Sequence, residues 1–330
     1  MTDKIRWGIL STANIAAKRV IPAIKKSSNG TVTAVASRDQ SRADAFAKAH
    51  DIPTAHGTYE ALLADDKVDA IYIPLPNSMH FDWAMKCADA KKPTLCEKPL
   101  APTADEARQM VRAFRKAKIN FAVGFMYRFH PQTDRVKALI DGGAIGALRT
   151  INATFSFSVS DDENIRLSKD LAGGALMDVG CYCVNSMRYL TGEEPIKAQA
   201  FAQFGETSNV DETTTGILEF PSGVLGHFDA SLRAHRTHMY DIRGTEGRIQ
   251  VPTAYVPDLE KETSIHVWRG DTKETIVIPP ADHYQLMVED FAESILKKRP
   301  PRFHPHDSVN NMRTVQALLQ VAERSKSVTA

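Results

Sequence analysis

Only four cysteines occur in 330 residues, Cys87, Cys96, Cys181 and Cys183, and none shows C-x-x-C spacing. So few thiols argue against a disulfide framework, and they are expected to be reduced and mostly buried. An excess of one charge is missing too: 41 basic residues face 40 acidic ones, with no basic block. Binding to nucleic acid or to an anionic membrane therefore has no electrostatic support, whereas small neutral or anionic ligands remain open. No apolar run reaches the roughly 18 residues of a membrane span. The first strand pattern begins at about Ile5, which leaves no room for a signal peptide, so a cytoplasmic protein is expected.

What the chain does have is a regular alternation of patterns. Apolar stretches at 5–10, 31–37, 69–74, 93–96 and 120–124 are separated by helical patterns, among them 41–50, 80–91 and 104–116. Strands flanked this regularly by helices predict a parallel, doubly wound sheet. After 124 the rhythm changes. A helix at 131–141 precedes a long alternating strand at 148–158 and a small-residue helix at 173–190. Strand candidates follow at 196–204, 213–220, 224–232, 239–243, 248–251, 264–268 and 275–278, joined by turns that predict a large, mainly antiparallel sheet. Helices at 282–298 and 308–325 close the chain. The expected fold class is α/β, with a nucleotide-binding Rossmann domain at 1–124 and an α+β substrate and oligomerisation domain at 125–330. Helix 308–325 is a candidate to return to the first domain.

In such a sheet, ligands lie beyond the carboxyl ends of the strands. The first strand runs directly into Ser11, Thr12, Ala13, Asn14, Ile15 and Ala16. The three glycines of a G-x-G-x-x-G turn would fall at Ser11, Ala13 and Ala16, each replaced by a small residue. Ser37 and Arg38 follow the second strand, where an acidic side chain would otherwise accept from ribose hydroxyls. A hydroxyl and a guanidinium instead suit a 2′-phosphate, and so NADP. Further along, Pro74 and Leu75 lead a rigid loop to Asn77, Ser78 and His80, with Asn77 or Ser78 as the expected N-cap. Cys96 leads into Glu97, Lys98 and Pro99; the proline forces Lys98 to be extended, holding its ammonium at the sheet edge. The residues expected around the dinucleotide are thus Ser11 to Ile15, Ser37, Arg38, Pro74, Leu75, Asn77, His80, Glu97 and Lys98, joined by Arg128. No metal is expected.

A second constellation is Gly173 to Asn185, where Asp178 and Tyr182 are four residues apart and share a face on a helix. A carboxylate and a phenol there can address one ligand. Tyr127 and Arg128, at the domain crossover, add stacking and hydrogen-bonding groups. Asn164, Arg166, His283 and Tyr284 are further candidates for substrate contact.

With Lys98 and the Asp178/Tyr182 pair in place, the chain resembles the Gfo/Idh/MocA oxidoreductases over nearly its whole length. The resemblance rests on the turn at 8–16, on Glu97-Lys98-Pro99 and on Gly173-Gly174-Ala175-Leu176-Met177-Asp178-Val179-Gly180. Tyr182 stands where many members carry His, which is similar to the branch holding glucose-fructose oxidoreductase, NADP-dependent D-xylose dehydrogenases and dimeric dihydrodiol dehydrogenases. The resemblance implies an NADP-dependent enzyme, a catalytic Lys98, and a homodimer or homotetramer formed through the C-terminal sheet. The expected reaction is oxidation of an aldose at C1 to the lactone, with Asp178 orienting the sugar. Tyr182 is the candidate base, its phenolate favoured by the Lys98 cation; the reverse assignment, Lys98 as base and Tyr182 as donor, is equally open. The alternatives are a trans-dihydrodiol dehydrogenase or a reductase of a dicarbonyl sugar or ketose. Beyond these stand a non-catalytic NADP-binding regulator and a redox-cycling glycosidase.

Overall fold

The computed structural model describes residues 4–324, and Ser325, the expected end of the last helix, lies outside the described residues. The chain forms two compact units, one of Met1–Met126 with Asp282–Val309 and one of Tyr127–Ala281 with Asn310–Ala330.

The first unit is built on six parallel strands: β1 (Ile5–Leu10), β2 (Gly30–Ala36), β3 (Thr54–His56), β4 (Ala70–Ile73), β5 (Thr94–Cys96) and β6 (Phe121–Val123). Their order is β3-β2-β1-β4-β5-β6, the doubly wound order whose direction reverses between β1 and β4. The crossovers carry α1 (Ile21–Lys26), α2 (Gln40–Ala49), α3 (Tyr59–Ala64), α4 (His80–Asp89) and α5 (Ala104–Ala117). A parallel sheet needs both faces covered, which is why β1 and β4 read as near-continuous apolar runs. Helix α5 starts where its sequence says it should, because Thr103 and Glu106 form a reciprocal capping box. Two short elements add to the expected patterns: β3 is a three-residue edge strand, and α3 is a helix of six residues that buries Tyr59, Leu62 and Leu63.

The same unit receives α8 (His283–Leu296), which follows α6 (Pro131–Asp141) and α7 (Cys181–Thr191) of the second unit in chain order. Phe291 of α8 lies 5.6 Å from the ring of Trp7 in β1. Glu289 accepts from the Ser28 amide at 3.0 Å, and its carbonyl accepts from Asn29 Nδ2 at 2.9 Å. Asn120 reaches Ser294 Oγ at 2.7 Å. The last helix, α9, spans His306–Arg324.

The second unit is an eight-stranded sheet of β7 (Leu148–Ser158), β8 (Lys197–Phe204), β9 (Asp211–Glu219), β10 (Leu225–Ser231), β11 (Arg233–Gly244), β12 (Gly247–Val251), β13 (Thr263–Arg269) and β14 (Thr272–Ile278). Its order is β14-β13-β12-β11-β7-β10-β9-β8, antiparallel throughout except for β10 against β7. Strand β11 begins six residues before the expected 239, because its first half is polar and exposed and carries no apolar alternation. One face of the sheet buries Ile151, Ala153, Leu218, Phe228, Ala230 and Ile242. The other leaves Phe201, Ile217 and Leu225 exposed. Helix α7 ends at Gly192, whose φ of +71 supplies the left-handed cap that other residues adopt at a cost. All four cysteines are buried and free. No helix among the described residues is long and apolar enough to cross a membrane.

Candidate functional site

In the first unit, the turn after β1 preserves a glycine-like backbone without a glycine. Ser11 has φ +143, a conformation that costs a side-chain-bearing residue about 1–3 kcal/mol, and its Oγ accepts from the Ala13 amide at 3.2 Å. Ala13 O accepts from Ala17 N at 3.1 Å, and the helix continues through a π turn at Ala16–Val20. Its first amides have no partner inside the helix, so this end suits an anion. Thr12, Ala13 and Ile15 are half-buried and Asn14 is exposed. The residues present therefore fit a dinucleotide pyrophosphate at Ser11 to Ile15.

At the end of β2, Ser37 is buried and its amide donates to His56 O, while Arg38 is exposed with no ion pair or hydrogen bond among the described residues. The nearest acid, Asp39, is turned to the N-terminus of α2, accepting from Arg42 N at 2.8 Å and Ser41 Oγ at 2.6 Å. Those donors hold its carboxyl below the usual range. Asp39 is thus engaged through Oδ1 at the start of α2.

After β4, Pro74 and Leu75 are buried and Asn77 half-buried. The expected N-cap at Asn77 or Ser78 is not formed. Pro76 leads into a 3-10 turn, Asn77–Met79, so that Asn77 and Ser78 lie inside the turn and Met79 takes the position before α4, without a side-chain cap. His80, fully buried, opens α4; its Nδ1 lies 2.9 Å from Pro99 O and its Nε2 2.9 Å from Leu75 O. Burial pushes its pKa down against the pull of these carbonyls. After β5, Glu97 is buried, receives the Tyr72 hydroxyl at 2.7 Å, and takes the Lys98 amide at 3.3 Å. The Lys98–Pro99 peptide is cis, and Lys98 is half-buried. His283 and Tyr284 belong to this unit, both buried, their rings 4.8 Å apart. Burial, and then Glu97, push the Tyr284 phenol up.

In the second unit the structure brings together Asn164, Arg166, Asp178 and Tyr182. Asn164 caps a short turn at Ile165–Leu167, accepting from Arg166 N at 3.1 Å. Arg166 Nε donates to Asp178 Oδ2 at 2.7 Å. Asp178 and then the Tyr182 phenol raise the pKa of this guanidinium, so it stays charged. Asp178 lies in a π turn, Leu176–Gly180, that runs into α7 at Cys181. The helix expected at 173–190 thus starts three residues later with a widened turn, and the Asp178–Tyr182 phase differs from that of a plain α-helix. The Tyr182 ring is 4% exposed, packed against Phe155 at 5.3 Å, Tyr255 at 5.6 Å and Tyr127 at 5.9 Å. Tyr127 is fully buried and donates its hydroxyl to Asn185 Oδ1 at 2.7 Å. Arg128 is buried with its guanidinium 4.6 Å from the centre of the Tyr189 ring. The twelve-residue reach from Arg166 to Asp178 has no local sequence signal. Among the described residues no group of three or more His, Cys, Asp or Glu is placed to hold a metal.

A doubly wound sheet with a pyrophosphate turn and a lysine after β5, on a chain that also carries an antiparallel sheet, defines an NAD(P)-dependent oxidoreductase fold. Residues 5–125 match the oxidoreductase family with an NAD-binding Rossmann fold, and residues 133–250 match the GFO/IDH/MocA C-terminal domain. The chain is 39% identical over 323 residues, 98% of each sequence, to D-xylose 1-dehydrogenase (NADP(+)) 2 of Haloferax volcanii. It is 36% identical over 255 residues, 75% of this chain and 74% of the relative, to trans-1,2-dihydrobenzene-1,2-diol dehydrogenase of Bos taurus. A solved 3-ketoreductase from Actinomadura kijaniata, in complex with NADP and TDP-benzene, superposes with a TM-score of 0.92 at 29% identity, covering 96% of this chain and 98% of that one. The chain belongs to the Gfo/Idh/MocA family.

Proposed function

We propose that this chain is an NADP-dependent oxidoreductase that exchanges hydride with a ring carbon of a sugar or cyclic diol, interconverting a secondary alcohol and a ketone beside a second oxygenated carbon. The observation that carries the reading is the Arg166–Asp178 pair with Tyr182 further along the same helix. A carboxylate oriented by a guanidinium can accept from a substrate hydroxyl, and a phenol nearby in sequence can give or take the hydroxyl proton. The diol dehydrogenase and the 3-ketoreductase support this class of substrate. A second reading, oxidation of an aldose at C1 to the lactone, is favoured by the 39% identity to the xylose dehydrogenase along the whole chain.

Bound NADP would supply the hydride acceptor or donor. The chain's own residues supply the rest. Ser11 to Ile15 receive the pyrophosphate, Ser37 and Arg38 the 2′-phosphate, and the loops at Pro74 to Asn77 and at Glu97 flank the dinucleotide. Glu97 holds the Lys98 amide, His80 ties the loops after β4 and β5, and Asp178 orients the substrate. Lys98 or Tyr182 takes the proton in oxidation and returns it in reduction. Asn164 supports this group through Arg166, and His283 and Tyr284 back the end of the parallel sheet. A homo-oligomer belongs to the same reading, supported by the exposed Phe201, Ile217 and Leu225 on one face of the second sheet. So does a cytoplasmic setting.

The experiment is a panel read by nicotinamide absorbance: D-xylose, D-glucose and a trans-1,2-diol with NADP, and a keto sugar with NADPH. Turnover of the diol or keto sugar above the aldoses supports the first reading, and the opposite order supports the second. A protein that binds NADP yet turns over none of the panel would overturn both.

A further inference from the structure

Asp211 opens β9 and is 2% exposed, an acid held in the interior of the second unit. Its Oδ2 accepts from the Leu176 amide at 2.7 Å and from Thr214 Oγ1 at 2.7 Å. An interior carboxylate requires such donors, since leaving it without them is far costlier than burying a neutral group. Leu176 is the first residue of the π turn that carries Asp178. The acid therefore grips the start of the helix on which Asp178 and Tyr182 ride.

Gly174 provides the other side of this grip. Its φ is +114, and a Cβ there would fall 2.1 Å from Asp211 Oδ1. The Gly174 carbonyl accepts from Asp178 N at 2.9 Å, and its amide donates to Arg166 O at 2.8 Å. Arg166 then returns to Asp178 through its side chain. Gly174, Arg166 and Asp178 thus close a ring of hydrogen bonds, with Asp211 pressed against its glycine corner.

We infer that Asp211 is a positioning residue for the reaction: through the Leu176 amide and the space kept open at Gly174, it sets the pose of the Arg166–Asp178 pair and of Tyr182. The inference rests on the functional reading of Asp178 and Tyr182 given above. An acid that served stability alone would lower Tm and leave turnover per folded molecule unchanged.

The test compares Asp211→Ala, which removes the acceptor, with Asp211→Asn, which keeps one oxygen for Leu176, and with Gly174→Ala, which pushes on the carboxylate from the opposite side. Displacing a reacting group by about 1 Å can cost a hundredfold, so both Ala variants should lose about tenfold to a hundredfold in kcat. NADP affinity should stay at the wild-type level, and Asp211→Asn should recover most of the turnover. Amide hydrogen exchange across residues 176–182 should accelerate in the Ala variants. Should Asp211→Ala fail to fold, Thr214→Val carries the test, since it removes one donor at nearly constant volume and should produce the same two changes in milder form. Wild-type turnover or unchanged exchange at 176–182 in a folded Asp211→Ala or Thr214→Val protein overturns the inference. Tyr182→Phe run in parallel separates the layers: if that variant keeps wild-type turnover, the role given to Tyr182 fails, and the exchange data still decide whether Asp211 holds the helix.

Discussion

Tyr72 and Glu97 form a buried pair at the ends of neighbouring strands, the phenol donating to Glu97 Oε1 at 2.7 Å. Burial, reinforced by the carboxylate, pushes the Tyr72 phenol far up, so it remains a donor at any working pH. Glu97 Oε2 meanwhile takes the amide of Lys98. Tyr72→Phe leaves that interior acid one donor short and should destabilise the protein by about 1–3 kcal/mol. Chemical denaturation would read the loss, and a midpoint equal to wild type would show that Glu97 finds another donor.

The cofactor preference is proposed to rest on Arg38. Charge-assisted hydrogen bonds contribute roughly 1.5–3 kcal/mol, so Arg38→Ala should weaken NADP by about tenfold to a hundredfold and leave NAD nearly unaffected. Titration with both dinucleotides decides the matter. Equal losses would mean that the guanidinium supports the fold and reads no phosphate.

Lys98→Met keeps the stem and removes the charge. Turnover should fall by at least about a hundredfold, the lower range for a group that handles a proton, while NADP binding persists. Near-normal turnover on any good substrate would rule the lysine out of the chemical step.

Tyr182 and Lys98 can be told apart by pH. With Tyr182 as base, oxidation accelerates as pH rises through the phenol ionisation, an anion that the Arg166 guanidinium favours. Tyr182→Phe should abolish most turnover and erase that limb of the profile, and the ring should still pack on Phe155 and Tyr255. A Phe variant with the wild-type profile at reduced rate would leave Lys98 as the base.

Two histidines of the second unit give stability its own pH dependence. Burial lowers His130 and His238 to about 4 from the usual 6.5. The unfolded chain therefore binds more protons between about pH 4 and 6.5, so their contribution is full above that window and is lost as pH falls through it. His130 accepts from Gln132 N at the start of α6. His130→Asn should keep that cap and flatten part of the slope, as measured by denaturation midpoints from pH 4 to 7. An unchanged slope would assign the whole effect to other groups.

The parallel sheet was legible because both its faces are covered and its strands read as apolar runs; Lys98 was legible because a parallel strand ends at Cys96. Elements without an apolar stripe, such as β3 and the first half of β11, left no such trace. The π turns at Ala16–Val20 and Leu176–Gly180 were equally silent, since hydrophobic periodicity over five residues does not distinguish them from α turns. Contacts between distant segments escaped for a different reason. Trp7 against Phe291, Arg166 against Asp178 and Leu176 against Asp211 are set by packing that no local window contains.

His80 holds two carbonyls with one ring. A neutral imidazole owns a single N–H, so at any instant it bonds either Leu75 O or Pro99 O, and turns a lone pair toward the other. The loops after β4 and β5 consequently share one hydrogen. Moving it from Nε2 to Nδ1 trades one tether for the other without moving a heavy atom, and the tautomer of a fully buried ring becomes the variable that decides which loop is held.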